Sequence, residues 1–576
     1  MSQQRRDSFE QIGADGAFDV IVVGGGINGI GVYRELALQG LRVLLVERND
    51  FASGCSAAPS RMIHGGLRYL ENGEFSLVRE SLRERDALLA NAPHMVRPLP
   101  TTVPITSLFS GLLNGAASFL GFSGRPAPRG AVPIKIGLWL YDWTTRNRRV
   151  LPPHSFRTAA ETFKTWPKLT PRLTYSATYY DAWISYPERL ALELVLDTKR
   201  LAPNSLALNY AELVPENGGY ALLDKLTGRR FPVSARAMVN ATGAWLDESL
   251  VALGAAKKDH ENFVSGTKGS HIVLDNPALF EALGGHMIFF ENEDGRVCIV
   301  FPYLGRVLAG ATDIRVDSAE RVACSDEERD YIIGALRGVF PALTITSEQV
   351  VFSFSGIRPL PRSDQQFTGR ISRGHFVHRI DGDVPQFCMV GGKWTTFRAF
   401  AEQTADAVLE ALGQERLADT LALPIGGGEN FPKSPADLVQ RLTSRHGIAT
   451  DRATRLVDLY GSRAEDVLVF CRACTDDEPL DSGTTLTSAE IVFLTRHEHV
   501  ADLADLVLRR LPLAITGAIS ASRIAAIAAI AAAELGWSAT ETAAQIARLT
   551  NELATYHGVT AEMLALRTDE RNQPCA

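Results

Sequence analysis

The N-terminal part of the chain combines two apolar runs with one glycine-rich turn. The mostly apolar residues 18–23 lead into the turn 24–29, which has the spacing Gly-x-Gly-x-x-Gly. Apolar positions at helical spacing follow over 30–40, and a second apolar run, 41–46, ends at Glu47. Strand, glycine turn, helix, strand and terminal acid are the parts of a βαβ unit that binds a dinucleotide. The pattern therefore predicts such a unit at the start of the chain.

Each glycine of this turn has its own expected role. Gly24 allows the tight turn, Gly26 lets the backbone approach the pyrophosphate, and Gly29 lets the helix pack closely on the strand. The N–H groups at the start of the helix, around Asn28, would face the phosphates. Glu47 would accept a hydrogen bond from a ribose hydroxyl. At this point the dinucleotide could carry either nicotinamide or flavin.

The rest of the chain shows two further patterns. From about residue 138 to 400, strand-like runs alternate with polar connections, which is typical of a mixed or antiparallel sheet. Beyond the Gly/Pro-rich stretch 421–432, nearly every segment has helical periodicity. The predicted C-terminal helices are 436–446, 452–459, 489–497, 503–511, 518–535 and 540–556.

These patterns predict the domain organisation. The parts are a disordered polar tail (1–17), a dinucleotide-binding domain (18–420) interleaved with a substrate-binding domain (mainly 95–185 and 262–360), a linker (421–432) and a helical C-terminal domain (433–576).

The stretch 107–122 is apolar and carries no charge. Its apolar residues recur at helical spacing, and Arg125, Arg129 and Lys135 follow it. An apolar helix with basic flanks can lie in a membrane interface, whereas most such stripes face a protein core. Both interpretations stay open.

Composition narrows the classes of function. A chain of 576 residues with 45% hydrophobic and 22% charged residues is typical of a globular protein with about two to four domains. The net charge of −7 gives no support to nucleic-acid binding. The cysteines are scattered, which predicts no disulfide framework and fits a reducing compartment. Cys471 and Cys474 lack the partners of a metal site, so no metal is expected.

Membrane and targeting signals are also weak. The N-terminus lacks the apolar core of a signal peptide, and no apolar run is long enough for a spanning helix. The protein is therefore expected in the cytoplasm, or on a membrane surface without spanning it.

Several short motifs follow the glycine turn in a recognisable order. They are 63–70 (IHGGLRYL), 240–243 (NATG), 268–271 (KGSH), 355–360 (SGIRPL), 371–373 (ISR), 391–396 (GGKWTT), 459–463 (LYGSR) and 489–491 (AEI). With them the chain resembles the FAD-dependent glycerol-3-phosphate dehydrogenases, within the D-amino-acid-oxidase-like flavoproteins. The resemblance extends over residues 18–550.

The resemblance implies FAD as the cofactor and an α/β fold. In that fold a Rossmann-like FAD-binding domain is interleaved with a mixed or antiparallel sheet substrate domain, and a helical C-terminal domain follows. Independently, 391–392 precede a helix-like segment whose N-terminus could stabilise negative charge on a reduced flavin. The implied cofactor-binding residues are Gly24, Gly26, Ile27, Asn28, Gly29, Glu47, Arg48, Ser56, His64, Gly65, Gly66, Gly243, Gly392, Lys393 and Thr395.

The resemblance also implies the reaction. A secondary alcohol beside a phosphomonoester gives hydride to FAD while its hydroxyl loses a proton. Arginine forks fit phosphate oxygens, and histidine or lysine can be tuned to neutral pH as a base. The implied substrate-binding residues are Arg68, Tyr69, Arg358, Arg373 and Thr312, and the implied catalytic residues are His271, Lys393 and Arg358. The choice between His271 and Lys393 as the base stays open.

The chain departs from the family pattern at three places. Ala311 stands where the family has the first of two threonines before an aspartate, 183–190 is one residue longer, and 107–122 resembles an insertion. These changes leave the FAD chemistry in place and concern the substrate. The first choice is sn-glycerol 3-phosphate, oxidised to dihydroxyacetone phosphate, and the alternative is a larger polyol phosphate such as erythritol phosphate.

The resemblance further implies a membrane quinone as electron acceptor, and the protein is then expected on the inner face of the cytoplasmic membrane. The apolar stretch 107–122 could supply a contact with that surface. An oxidase that uses oxygen is an alternative, and a homo-oligomer is compatible with the sequence. A different class, a flavin-binding regulatory or interaction module, also stays open. The presence of Arg68, His271, Arg358 and Lys393 together favours an enzyme over a protein that only binds flavin.

Overall fold

The computed structural model describes residues 3–66, 74–106, 151–292, 294–363 and 373–567. The predictions for Arg68, Tyr69 and 107–122 fall outside these residues. In chain order the strands are β1 (Ala17–Val23), β2 (Val43–Val46), β3 (Met62–Ile63), β4 (Val96–Ile105), β5 (Ser155–Thr158), β6 (Tyr175–Ile184), β7 (Leu206–Leu208), β8 (Ala211–Glu216), β9 (Gly219–Asp224), β10 (Arg230–Asn240), β11 (Val264–Leu274), β12 (Met287–Glu291), β13 (Val297–Tyr303), β14 (Arg306–Gly310), β15 (Ile314–Val316), β16 (Val350–Pro361), β17 (His375–Ile380) and β18 (Gln386–Gly391).

The helices connect and cover these strands. They are α1 (Gln3–Ala14), α2 (Ile27–Leu38), α3 (Phe75–Asn91), α4 (Ala159–Thr165), α5 (Pro187–Leu201), α6 (Leu246–Ala252), α7 (Pro277–Leu283), α8 (Asp326–Val339), α9 (Phe397–Leu412), α10 (Pro435–His446), α11 (Thr450–Tyr460), α12 (Ala464–Ala473), α13 (Ser488–His497), α14 (Ala521–Leu535), α15 (Ala539–His557) and α16 (Ala561–Leu566).

The first sheet is built around β1. Its order is β17-β18-β10-β1-β2-β7, and the β8–β9 hairpin extends it beside β10. The pairs that join β10, β1, β2 and β7 are parallel, as is the pair β10–β18. Every residue of β2 is buried, because α2, α5 and α9 share one core on one face and α1 covers the other. Apolar side chains on both faces are what a covered parallel strand requires.

The second sheet carries two long strands that position the candidate site. Its order is β15-β11-β14-β13-β12-β4-β6-β3, with β16 beside β11 and β5 beside β6. The antiparallel pair β11–β16 places His271 opposite Phe354 and Thr267 opposite Arg358. Successive residues of a strand point to opposite faces, so Thr267 and His271, four positions apart, share a face. Because Arg358 lies opposite Thr267, it points to the same side as His271. The two sheets and the helical C-terminal part confirm the predicted fold class.

The C-terminal helices pack on the second sheet. Leu456, Leu494 and Ile527 of this helical part share a core with Phe301 and Phe354 of the sheet. Helices α12 and α16 are additions to the sequence-based prediction, and a π-helix, Asp505–Arg510, lies where 503–511 was expected to be α-helical. Across the described ranges, no helix has the length and apolar content needed to cross a bilayer.

The N-terminus differs from its prediction. Residues 1–17 were expected to be a disordered tail, yet Gln3–Ala14 form α1. Phe9 and Ile12 are buried against the first sheet, and Arg5 pairs with Asp224 at 2.6 Å. The helix is held by two buried apolar residues, three positions apart, and by one buried arginine. So few apolar positions in a polar segment do not give a recognisable helical pattern.

Part of the predicted linker is closely packed against the rest of the protein. Gly426–Gly428 are buried, and a Cβ on Gly427 would lie 1.8 Å from the carbonyl oxygen of Tyr460. The glycines here permit close contact between backbones. Gly/Pro-rich composition alone does not distinguish such a packed joint from a flexible connection.

Replacing Gly427 with alanine should therefore destabilise the protein. Overpacking typically costs about 1–3 kcal/mol, so the free energy of unfolding measured with denaturant should fall by that amount. Gly334→Ala is the matched control, because a Cβ there meets no atom within 4 Å on an exposed face of α8. Equal stability of the two variants would contradict the packed joint.

Candidate active site

The glycine turn is held by close backbone contacts. Gly24 has a φ of +107°, and a Cβ on it would lie 2.7 Å from the carbonyl oxygen of Ala241. A Cβ on Gly29 would lie 1.8 Å from the carbonyl oxygen of Gly24. Both positions therefore exclude a side chain, as the fingerprint requires.

Ser56 joins two of the sequence motifs. Its Oγ accepts a hydrogen bond from the N–H of Ile27 at 2.9 Å, at the start of α2. Its carbonyl oxygen accepts from Nε1 of Trp394 at 3.0 Å. One residue thus ties the glycine turn to the motif 391–396, more than 360 positions later in the chain.

Glu47 has a structural task in addition to the predicted one. Its Oε2 accepts from the N–H of Gly25 at 2.7 Å, and its Oε1 accepts from that of Asn49 at 2.8 Å. Burial raises the pKa of this carboxyl group. Each oxygen keeps further lone-pair capacity, so Glu47 can shape the turn and still accept from a ribose hydroxyl.

A cavity of about 760 Å³ runs along this turn. The predicted cofactor-binding residues that line it are Gly24, Gly26, Ile27, Asn28, Glu47, Arg48, Ser56, Gly243, Gly392 and Lys393. The other five predicted residues do not line the cavity. Gly29 lies within α2, and Gly66 has a positive φ. The N–H of His64 donates to Oγ1 of Thr395 at 3.3 Å, and the N–H of Gly65 donates to Asp181 at 2.8 Å.

The cavity has features that fit a flavin dinucleotide. Oδ1 of Asn28 is buried and has no hydrogen-bond partner within the described part of the chain. A Cβ on Gly392, whose φ is +101°, would lie 2.6 Å from Nδ2 of the same asparagine. The glycine turn and Gly392 thus leave a cradle with an unused acceptor between them, and the N-terminus of α9 follows close by.

Two arginines share one carboxylate beside this cavity. Nη1 of Arg358 donates to Asp313 at 2.9 Å, and Nη2 of Arg373 lies 3.8 Å from the other oxygen of Asp313. The side chain of Arg358 crosses Gly269, where a Cβ would lie 1.9 Å from Nη2. Burial and then the charge of Arg373 lower the pKa of Arg358. Two cations around one anion leave a net positive charge.

Thr312 is placed differently from its expected substrate contact. It is 2% exposed, its Oγ1 donates to Glu328 at 2.7 Å, and it accepts from the N–H of Ser270 at 2.9 Å. Its carbonyl oxygen accepts from Arg358 at 3.3 Å. Thr312 therefore positions the arginine with its backbone while its hydroxyl is engaged inside the protein.

Glu328 is a buried carboxylate that lies outside the sequence motifs. It accepts from Ser270 at 2.8 Å and pairs with Lys268 at 2.6 Å, on the face of β11 opposite to His271. It also completes a capping box with Ser325 at the start of α8. The Ser-x-x-Glu spacing was the available sequence signal.

His271 is buried and neutral. Its Nε2 lies 2.9 Å from Oγ of Ser60, and its ring stacks on Phe354 with centroids 4.9 Å apart. Burial, aided by the charges of Arg358 and Arg61, lowers its pKa to about 3. An imidazole with this pKa carries no charge near neutral pH.

Lys393 follows the glycine pair at the end of β18. Its Nζ donates to Oγ of Ser81 at 2.6 Å. Burial lowers its pKa to about 7, against the opposing charges of Glu80 and Glu74. The charge of Arg373 also lowers the pKa of Lys393, and that of Arg358 lowers the pKa of His271. The side chains of Arg358, Arg373, His271 and Lys393 therefore influence one another electrostatically.

A dinucleotide cradle beside clustered cationic and titratable groups, on this two-sheet fold, defines an FAD-dependent oxidoreductase. The family model for FAD dependent oxidoreductases matches residues 19–407, and that for the C-terminal domain of alpha-glycerophosphate oxidase matches 418–542. The chain belongs to the FAD-dependent glycerol-3-phosphate dehydrogenase family, and its cofactor is FAD.

Three similar proteins illustrate the relationship. The glycerol-3-phosphate dehydrogenase of Synechocystis is 36% identical over 551 residues, covering 90% of this chain and 93% of its own. The D-erythritol 1-phosphate dehydrogenase of Brucella abortus is 31% identical, covering 85% of this chain and 93% of its own. The glycerol-3-phosphate dehydrogenase of Bacillus halodurans, solved with FAD, shares the fold with a TM-score of 0.74 at 24% identity, over 96% of this chain and 98% of that one.

Replacing Gly29 with alanine should reduce the FAD content of the purified protein. The new Cβ would overlap the carbonyl oxygen of Gly24 and push α2 away from the turn. Flavin absorbance per protein measures the effect, with far-UV circular dichroism to establish folding. Gly338→Ala, where a Cβ meets nothing within 4 Å, is the control. Full FAD content in folded Gly29→Ala protein would contradict the proposed role of this contact.

Proposed function

We propose that the protein oxidises the secondary hydroxyl of a phosphorylated polyol to a ketone, with sn-glycerol 3-phosphate as first choice and dihydroxyacetone phosphate as its product. The observation that carries the proposal is the pair Arg358 and Arg373 around the single carboxylate of Asp313. A positive excess with guanidinium forks favours a phosphate dianion. The names of the relatives, a glycerol-3-phosphate and a D-erythritol 1-phosphate dehydrogenase, support the same chemistry.

FAD, when bound, supplies the hydride acceptor for this reaction. The glycine turn, Asn28, Glu47 and Gly392 are assigned to hold it along the cavity. Arg358 and Arg373 are assigned to the phosphate, together with Arg68 and Tyr69 by family resemblance. The charge of Arg358 would also stabilise the substrate oxygen as it loses its proton.

Lys393 is the better candidate for the base. A general base works best when its pKa lies near the working pH. The pKa of Lys393 is about 7, whereas that of His271 is about 3, which makes the imidazole a weak proton acceptor. His271 is therefore assigned to orient the substrate hydroxyl by a hydrogen bond, and Lys393 to accept the proton.

The choice of polyol depends on the space near Ala311. This residue is half-buried beside Thr312 and Asp313, where the family pattern has a threonine. A methyl group in place of a larger hydroxyl side chain leaves more room. A tetritol phosphate is therefore the second candidate, supported by the relative that acts on D-erythritol 1-phosphate.

A membrane quinone is proposed as the electron acceptor, on the inner face of the cytoplasmic membrane. Support comes from the stretch 107–122, which is apolar, uncharged and followed by basic residues. Oxygen is the second candidate, because the C-terminal family model is that of alpha-glycerophosphate oxidase.

Anaerobic addition of sn-glycerol 3-phosphate should bleach the flavin absorbance. Arg358→Met should raise the substrate concentration for half-bleaching about 10- to 100-fold, since hydrogen bonds to charged groups contribute about 1.5–3 kcal/mol. Arg379→Met, which removes an exposed arginine paired with Asp381, should change little.

A panel of substrates and acceptors completes this measurement. Faster bleaching by erythritol phosphate would select the larger substrate, and peroxide formed on readmitting air would select oxygen over quinone. Absence of bleaching by every phosphorylated polyol would reject the reaction and leave a flavin-binding module.

The pH dependence of kcat/KM should identify the base. Lys393 accepts a proton only when it is neutral, so kcat/KM should rise about tenfold per pH unit below about pH 7 and level off above it. Lys393→Arg should abolish this rise and lower kcat/KM by about 10²- to 10⁴-fold, whereas Lys433→Arg, at an exposed position, should keep it. A flat profile between about pH 5 and 9 would instead indicate His271.

A further inference from the structure

The imidazole of His271 is enclosed by its neighbours. The residue is 1% exposed, its ring stacks on Phe354, and a Cβ on Gly310 would lie 2.3 Å from its Cδ2. Its Nδ1 is buried and forms no hydrogen bond with any residue that the structure describes. Its Nε2 lies 2.9 Å from Oγ of Ser60. In the described part of the molecule, the imidazole therefore meets a polar partner only at Ser60.

The surroundings of Nδ1 decide which ring nitrogen carries the hydrogen. The neutral ring of His271 has one N–H group and one acceptor nitrogen. A hydrogen on Nδ1 would be a buried donor without a partner, which is rarer in proteins than an unpaired acceptor. The hydrogen is therefore assigned to Nε2, and Oγ of Ser60 accepts it. The hydroxyl hydrogen of Ser60 is then left for another acceptor, and no other described residue forms a hydrogen bond with this hydroxyl.

Ser60 is held in place by the residue that follows it. Arg61 is buried with a φ of +56°, and its guanidinium donates to both carboxylate oxygens of Glu188 at 2.7 and 3.0 Å. The guanidinium also lies 5.5 Å from the ring centroid of Phe354, the ring on which His271 stacks. Ser60 itself is half-buried. A fixed backbone thus presents a partly exposed hydroxyl beside a buried imidazole.

The proposed phosphate site lies on the same face of β11 as this contact. The guanidinium of Arg358 crosses Gly269, where a Cβ would lie 1.9 Å from its Nη2. Gly269 and His271 are alternate residues of β11, so they share a face and lie about 7 Å apart along the strand. A three-carbon phosphate can span such a distance. Its phosphate would bind Arg358 while its secondary hydroxyl lies toward Ser60.

We propose that Ser60, rather than the imidazole itself, binds the secondary hydroxyl of the substrate. Its O–H donates to the substrate oxygen while its Oγ accepts from Nε2 of His271. His271 then acts through Ser60 as a positioning residue, and Lys393 remains the base. The inference rests on the proposed function, and it names the atom that orients the substrate hydroxyl. Ala58 and Arg61, on either side of Ser60 in the chain, line the cofactor cavity, so a substrate bound at Ser60 adjoins that cavity.

Ser60→Ala tests the contact through the rate of anaerobic bleaching at saturating sn-glycerol 3-phosphate. This rate should fall about 10- to 100-fold, because the lost hydrogen bond strengthens as the substrate oxygen gains negative charge. Ser60→Thr keeps a hydroxyl and should retain most of the rate. Ser444→Ala, at an exposed position on α10, is the control and should bleach at the unaltered rate.

An analogue without the secondary hydroxyl separates this contact from a structural effect. 3-Hydroxypropyl phosphate keeps the phosphate and the carbon chain but lacks the oxygen that Ser60 would bind. Its inhibition constant should be the same in Ser60→Ala and in the unaltered protein, whereas Arg358→Met should raise it. Weaker binding of the analogue to Ser60→Ala would indicate a displaced site and overturn the proposal.

Variants of His271 test whether the imidazole acts through Ser60. His271→Phe keeps a flat ring and removes the donor, so it should slow bleaching when Ser60 is present. It should have little further effect in Ser60→Ala, because both changes remove one contact. His271→Gln, whose amide keeps an N–H donor, should retain more of the rate. An equal fall in both backgrounds would mean that His271 acts independently of Ser60, which contradicts the proposal.

The outcomes distinguish this inference from the function on which it rests. Unaltered bleaching by Ser60→Ala would overturn the contact and leave the reaction in place. Absence of bleaching in the unaltered protein would overturn the reaction, and the contact with it. Flavin absorbance and far-UV circular dichroism establish that each variant is folded and holds FAD.

Discussion

The pairing of β11 with β16 is the constraint on which the candidate site depends. In the observed register His271 and Arg358 share one face, and Gly269 leaves the space through which the arginine passes. The opposite face carries Ser270, which binds Glu328 at the start of α8. A slip of one residue would exchange the two faces. The register is therefore secured by polar contacts on one side so that the other side can carry the chemistry.

The cofactor cavity is completed by a second set of buried contacts. Asp50 lies three residues after Glu47 and pairs with Arg509 and Arg510 of the C-terminal part, the latter at 2.5 Å. The charges of Arg510 and Arg509 outweigh burial and lower the pKa of Asp50. Gly426–Gly428 of the predicted linker are buried as well. Buried ion pairs thus join the C-terminal helical part to the domain that carries the dinucleotide fingerprint.

Sequence reasoning reached furthest where the signal is local. The βαβ fingerprint lies within thirty consecutive positions, and the amphipathic helices of the C-terminal part repeat within a few turns. It failed where the partner is distant or the signal is small. Glu328 meets Ser270 and Lys268 only in the folded sheet, although its capping box with Ser325 is local in the sequence. Helix α1 depends on a few buried residues, and the glycines of 421–432 serve packing that composition cannot distinguish from flexibility.

The shared carboxylate of Asp313 has a thermodynamic consequence. A phosphate anion bound by Arg358 and Arg373 would offset the positive charge of Arg373, which is one of the charges that lower the pKa of Lys393. Anion and proton are then linked ligands, and each favours the binding of the other. A bound phosphate would therefore raise the pKa of Lys393 and favour its protonated form. Substrate binding and the protonation state of the proposed base would then be coupled through Arg373.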